Sequence, residues 1–247
     1  MSRAKAIRQQ IWERLRPVAK PDSRFHLDFA NVIPDFLGSE LAIQRLIAQP
    51  FYRDSHYAFV APDNGLAELR RRMLDDGKTL VVSTYGIHRG FVLLEPARIA
   101  RNQTLFASWL DGLEYFGSRI SLEEIANRGR FDFMATGASA VSVNGVRFGK
   151  GHGFFDLEWG MFTDIAVADE RTRVIAVVHD VQVVEENLDP SETDILVDAI
   201  ATPTRYFDVK RGQRPKGIKW ELLEPEQLSA TPPLQELRRM QGRTSDE

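Results

Sequence analysis

The stretch that most constrains this chain is Arg147-Phe148-Gly149-Lys150-Gly151-His152-Gly153-Phe154-Phe155-Asp156, with three glycines at alternate positions, two cations among them and an aspartate at the end. Glycine has no Cβ, so it takes positive φ and lets another group approach the backbone closely. Successive amides in such a loop can point into one concavity and bind an anion. Lys150 and Arg147 add positive charge, and the carboxylate of Asp156 suits a hard cation. Together they suggest a phosphate-plus-magnesium site, although a strand-to-helix connection that binds nothing can also be glycine-rich.

The flanks favour the site. Apolar residues at Phe154, Leu157, Met161, Phe162 and Ile165 predict a helix within 154–168 with one buried face. Phosphates held by the loop would then lie at a helix N-terminus, where free amides and the dipole favour negative charge. Before the loop, Asn144-Gly145 separates Val141-Ser142-Val143 from Val146-Arg147-Phe148, which reads as a tight hairpin.

The rest of the chain supplies a frame. Ile7, Ile11 and Leu15 predict an amphipathic first helix over residues 3–16, stopped by Pro17. Residues 17–38 are punctuated by prolines and read as irregular. Ser39 is expected to cap a helix carrying Leu41, Ile43, Leu46 and Ile47 and closed by Pro50. Tyr57–Ala61 and Thr79–Ser83 are expected strands, with a helix over 66–76 between them and Gly77 as its C-terminal cap. Further strands are expected near Phe91–Leu94, Thr104–Ser108 and Phe131–Ala135, with a capping box at Ser121 and Glu124. Arg173–His179 and Leu196–Ala201 are near-continuous apolar runs of the kind that suits a parallel strand covered on both faces. Ile218–Leu223 reads as a last strand, and residues 224–247 as a flexible charged tail with a short helix at 234–240.

Strands alternating with helices indicate an α/β fold with a largely parallel sheet in a single domain over residues 1–223. In such sheets ligands bind at the carboxyl ends of strands. The 247 residues are 43% hydrophobic and 27% charged, with a net charge of −3, so no basic field exists to attract nucleic acid or an anionic membrane. No cysteine is present, which excludes thiol nucleophiles, disulfides and thiolate metal sites. The scattered histidines, among them His26, His88 and His179, show no metal-ligand spacing. No run approaches the ~18 apolar residues of a membrane helix, and the N-terminus has no apolar signal core, so cytoplasmic residence is the expectation.

The central loop resembles the ATP-binding loop of 5-formyltetrahydrofolate cyclo-ligases, in which an arginine and alternating glycines precede two tyrosines and an aspartate. A second block agrees: His179-Asp180-Val181-Gln182-Val183-Val184, followed by Asp194-Ile195-Leu196-Val197-Asp198-Ala199-Ile200-Ala201-Thr202-Pro203. The match is closest to a divergent, methenyltetrahydrofolate synthase domain-containing branch. That branch shares Ile33-Pro34-Asp35-Phe36-Leu37-Gly38-Ser39, the Asp156-Leu157-Glu158 continuation, and Arg214-Pro215-Lys216-Gly217-Ile218-Lys219-Trp220.

The resemblance implies a three-layer α/β/α fold of the NagB/RpiA/CoA-transferase-like class. It implies that Arg147, Gly149, Lys150, Gly151, His152, Gly153, Phe154 and Phe155 surround ATP, with Arg8 reaching it from the first helix. Arg147 and Lys150 would serve catalysis, and Asp156 and Asp194 would hold Mg2+. The implied reaction converts 5-formyltetrahydrofolate to 5,10-methenyltetrahydrofolate with release of ADP and phosphate, in a monomer or homodimer. Phe154-Phe155 replaces the family's tyrosine pair, His152 stands where glycine is usual, and Asp63-Asn64-Gly65 stands where a folate-contacting glutamate is expected. A same-fold enzyme acting on another small molecule, and a non-catalytic nucleotide-binding module, therefore remain alternatives.

Overall fold

The computed structural model describes residues 3–242. Its centre is an eight-stranded sheet in the order Tyr206–Asp208, Ala199–Ala201, Arg173–Val177, Phe133–Thr136, Tyr57–Val60, Thr79–Ser83, Phe91–Leu94 and Ser118–Ile120. The run from Ala199–Ala201 to Thr79–Ser83 is parallel throughout, while the outer strands at each side run antiparallel. The parallel strands are buried on both faces, which is why they read as continuous apolar runs rather than alternating ones.

Register shows the layers. Ala58 pairs with Phe133 and Phe59 with Met134, so neighbouring side chains of these strands point to opposite faces. On one face Phe162, from the helix Phe154–Asp164, packs its ring 5.0 Å from both Phe59 and Phe131. On the other, Phe51 of the helix Pro50–Asp54 meets Phe133 at 5.4 Å, beside the helices Ser39–Ile47 and Ala67–Asp75. Helices on both faces of a mostly parallel sheet make an α/β fold.

Several expectations are corrected. Gly38, at φ 78°, is the N-cap of the helix Ser39–Ile47, whereas Ser39 is its first residue and is buried. Its apolar face is Ala42, Ile43 and Leu46, and Leu41 points to solvent. Thr104–Ala107 is helical rather than a strand and turns tightly into Leu110–Phe116, because Gly112 sits where a Cβ would stand 1.7 Å from the Phe106 carbonyl oxygen. Ile218–Leu223 is no strand either. The Gly217 and Ile218 amides donate to Thr163 Oγ1 and Asp164 Oδ2 at the end of a helix, and only a 3-10 turn, Trp220–Leu222, follows. Within the expected flexible tail, Pro225–Ala230 and Pro232–Met240 are helices, and Leu234 and Leu237 are buried. Residues 243–247 of that tail lie outside the described residues. Among the described residues no helix is long and apolar enough to cross a membrane.

Candidate functional site

The hairpin before the loop forms as its sequence suggests. Ala140–Ser142 pairs antiparallel with Arg147–Phe148, and Gly145 turns at φ 87°. Val183–Val184 adds a parallel strand, so this small sheet stands apart from the main one. The chain then leaves the sheet edge through Gly149–Gly153. Gly151 has φ 114° and Gly153 φ 67°, conformations that side-chain-bearing residues rarely adopt. Gly153 is the N-cap of the helix Phe154–Asp164 and supplies no side-chain cap, so its opening amides have no side-chain partner there. Such amides suit an anion.

Each residue expected around the loop has a definite place. Arg8, on the helix Arg3–Leu15, donates from a terminal guanidinium nitrogen to the Gly149 carbonyl at 3.4 Å, and its guanidinium lies 3.7 Å from where a Cβ on Gly151 would project. Arg147 is buried; its Nε donates to the Gly137 carbonyl at 2.9 Å, and its guanidinium stacks 4.8 Å from the centre of the Phe155 ring. Lys150 donates to the Asn31 carbonyl at 3.0 Å and lies 4.8 Å from the Tyr85 ring centre. Burial lowers the pKa of its ammonium, opposed by the nearby Asp63 carboxylate. His152 is exposed against the Phe154 ring. Phe155 turns inward to Phe59, whereas Phe154 stays half-buried.

Asp156 and Asp194 come together although 38 positions separate them (194 − 156). Val146 bridges Leu196, and the Val197 amide donates to the Gly145 carbonyl, so the segment after Asp194 is pinned to the loop's own hairpin. The Ile195 amide then donates to Asp156 Oδ1 at 3.2 Å. Burial pushes the Asp156 carboxyl up to about 6; Arg147 pulls it back down and the Asp194 charge pushes it further up. Asp194 also accepts the Ser191 amide at 2.7 Å, which fixes its turn.

Two clefts meet at Gly153. The first, of about 700 Å³, opens at the carboxyl ends of three adjacent parallel strands, which deliver Asp63, Ser83 and Thr136 to it. Arg147, Lys150, Phe154 and Glu158 close its other side. Its wall is strained: Ile87, a β-branched residue, sits at φ 58° beside Gly86 at φ 64°. Such conformations cost energy and cluster at binding sites. The second cleft, of about 640 Å³, is lined by Asp156, Trp159, Thr193 and Lys219.

Sequence reasoning gave no role to Glu158, Ser83, Arg24 or Tyr85. Arg24 lies over the Phe25 and Tyr85 rings at 5.5 and 5.4 Å, and the two rings stack on each other. Glu158 is 2% exposed, and burial pushes its carboxyl up to about 8. One signal for it was available: it falls on the apolar stripe of its helix, between Phe154 and Phe162.

Among the described residues no group of three or more His, Cys, Asp or Glu gathers as a metal cage. Magnesium shared with phosphate needs no such cage, because it keeps waters and takes one or two carboxylates plus phosphate oxygens. Asp156 and Asp194, brought together here, are two carboxylates of that kind.

Residues 1–203 match the 5-formyltetrahydrofolate cyclo-ligase family. Methenyltetrahydrofolate synthase domain-containing proteins are similar over nearly all of this chain: that of Danio rerio is 31% identical over 95% of it, and that of Homo sapiens 32% over 94%. The chain spans only 61% and 60% of the lengths of those relatives. The NMR structure of Aquifex aeolicus 5,10-methenyltetrahydrofolate synthetase superposes with a TM-score of 0.50 over 88% of this chain and 98% of its own, at 18% identity, a likeness of fold. A chain that matches this family over 203 of its 247 residues belongs to the 5-formyltetrahydrofolate cyclo-ligase family.

Proposed function

We propose that this chain is an ATP- and magnesium-dependent cyclo-ligase-like enzyme that turns 5-formyltetrahydrofolate into 5,10-methenyltetrahydrofolate. The observation that carries this reading is the meeting of two clefts at Gly153, the N-cap of the helix Phe154–Asp164. A nucleotide in the cleft lined by Asp156 and Lys219 and a folate in the cleft lined by Arg147 and Lys150 would face each other across that glycine.

The chemistry asks for positioning and charge neutralisation rather than a protein nucleophile. The formyl oxygen on N5 attacks the terminal phosphorus of ATP, and ADP leaves. The N10 lone pair then attacks the activated formyl carbon. The C–O bond breaks, phosphate departs, and N10 loses its proton as the methenyl bridge closes. The amides of residues 149–153 would hold the transferred phosphoryl group by its oxygens, with Arg147 and Lys150 offsetting its charge. Magnesium, held by Asp156 and Asp194, would supply further neutralisation of the phosphates. Arg8 would keep the loop shaped through its bond to the Gly149 carbonyl.

The test is direct. Protein, ATP, magnesium and 5-formyltetrahydrofolate are mixed and the methenyl absorbance is followed. Product formation that needs both ATP and magnesium is expected; none at high enzyme concentration overturns the reading. A second reading, the same fold acting on a different small molecule, is favoured by Phe154 and Phe155, which bring no hydroxyl to the first cleft. Calorimetry showing nucleotide binding without folate binding selects it.

A further inference from the structure

The first cleft mixes cations with acceptors. Arg147, Lys150 and Arg24 supply the cations. The acceptors are Asp63 just beyond the end of one parallel strand, Ser83 at the end of the next, and Glu158 on the helix Phe154–Asp164. Both Ser83 and Glu158 are buried, at 1% and 2% exposure. The Ser83 hydroxyl sits beside the Glu158 carboxyl but closes no well-formed hydrogen bond with any group. A buried hydroxyl without a well-formed partner is costly, so a fold keeps one where something else completes it. Asp63 is held in place by the Gly137 amide, which donates to its Oδ2 at 2.8 Å. Gly137 admits this approach because a Cβ there would stand 2.9 Å from the same oxygen.

A carboxyl buried on the apolar stripe of a helix makes little sense as packing. Burial disfavours its charge, and a hydrocarbon side chain of that size would stabilise the helix more. The position does make sense for a ligand that brings paired N–H donors. We propose that Glu158 and Ser83, with Asp63 beside them, form an acceptor floor that selects a flat heterocycle presenting a guanidine-like edge, that is, adjacent ring N–H and amino donors. The ionised carboxylate takes such an edge through two parallel hydrogen bonds, as it takes arginine, and those donors favour release of the proton that burial favours in the empty cleft. A site built for those donors rejects an analogue that lacks them, because its own acceptors are then left unpaired. The inference rests on the proposed function for the identity of that ligand, a reduced folate, but the floor predicts a selectivity that needs no turnover.

The experiment is fluorescence titration of the full chain with pterin, which carries the 2-amino group next to N3–H, and with lumazine, which carries a carbonyl in its place. Wild-type protein is expected to bind pterin about tenfold or more tightly than lumazine. Glu158→Gln is expected to cut that preference to about threefold or less while Mg·ATP binding stays within about twofold, and Ser83→Ala is expected to weaken pterin by several-fold. Equal affinities in the wild type, no binding of either fragment, or an undiminished preference in Glu158→Gln overturns the proposal. Pterin selectivity without methenyl product overturns the cyclo-ligase reading and leaves the acceptor floor standing.

Discussion

The Asp156 carboxylate accepts the Ile195 backbone amide at 3.2 Å, and this bond fastens the first turn of the helix after the glycine loop to the segment that carries Asp194. Two acidic residues from separate parts of the chain are thereby brought together, with Asp156 and Thr193, the neighbour of Asp194, on the wall of the second cleft. The cost is visible in Asp156 itself, whose carboxyl is driven up to about 6 by burial and which has the Asp194 charge nearby. A bound cation would relieve both strains, which is how a site built for a metal–phosphate complex differs from a salt bridge built for stability.

Asp156→Asn is therefore expected to separate binding from folding. The amide still accepts from Ile195 but brings no charge to a cation. Thermal denaturation should show an unliganded midpoint equal to or above wild type, while the upward shift caused by Mg·ATP is largely lost and kcat/KM falls by about a hundredfold or more. An unchanged Mg·ATP shift would remove Asp156 from the site.

Glu158 sets the pH dependence of stability. Its carboxyl is raised from 4.5 to about 8, so between those values the folded state holds a proton that the unfolded state has released. Stability from that group is present below pH 4.5 and is lost as pH rises through about 8. Asp156 acts with the same sign over a lower window ending near 6. Burial lowers the pKa of His179 and of Lys150, which act with the opposite sign, His179 below pH 6.5 and Lys150 on approach to its ordinary 10.5, so the Glu158 contribution is read above pH 6.5 as the part of the slope that Glu158→Gln removes. Urea unfolding should give a free energy about 1–2 kcal/mol lower at pH 8.5 than at pH 6.5, and Glu158→Gln should flatten that slope. A wild-type slope that survives the substitution would show that another group carries it.

Arg214 and Asp198 anchor a network of buried ion pairs and hydrogen bonds. Asp198 accepts from Arg214, from Arg211 Nε at 2.7 Å and from the Val174 amide at 2.7 Å. Arg214 also donates to the Leu196 and Thr172 carbonyls and lies over the Trp159 ring. Its side chain is fully buried, so losing its partner leaves an uncompensated charge. Asp198→Ala should cost about 3–5 kcal/mol in urea unfolding. It should leave pterin affinity per folded molecule unchanged, since none of these residues lines the first cleft.

Much of this architecture was legible because it rests on local rules. The apolar runs 173–179 and 196–201 suit strands covered on both faces, and their cores, Arg173–Val177 and Ala199–Ala201, pair in parallel, while Leu196 bridges Val146 instead. Asn144-Gly145 and the box at Ser121 and Glu124 specify their turn and cap through backbone chemistry alone. The glycine loop was legible for the same reason, since glycines at alternate positions mark where the backbone needs positive φ, which Gly151 and Gly153 adopt. What stayed hidden depends on tertiary contacts. Thr104–Ser108 has the residues of a strand and becomes a helix because Gly112 lets the next helix close on it. Ile218–Leu223 is apolar enough for a strand, but helix-end side chains take its amides. Glu158 was masked by its own helix: periodicity marks the buried face and says nothing of which buried residue looks into a cleft.

The last helix supplies a final test, because its residues read as solvated tail. Pro232–Met240 buries Leu234 and Leu237, and Glu236 Oε1 accepts the Leu122 amide at 2.8 Å, supplementing the Ser121 cap of the helix Leu122–Arg128. Leu234 is 0% exposed and packs into the main core, so Leu234→Ala removes buried methyl groups and leaves a cavity. That should cost about 2–4 kcal/mol. Glu236→Ala removes one acceptor from a helix N-terminus and should cost about 1 kcal/mol. Deleting residues 224–247 should lower the thermal midpoint by more than Leu234→Ala does, since it exposes the whole contact at once. A deletion that melts like the full chain would return this helix to the role of a tail.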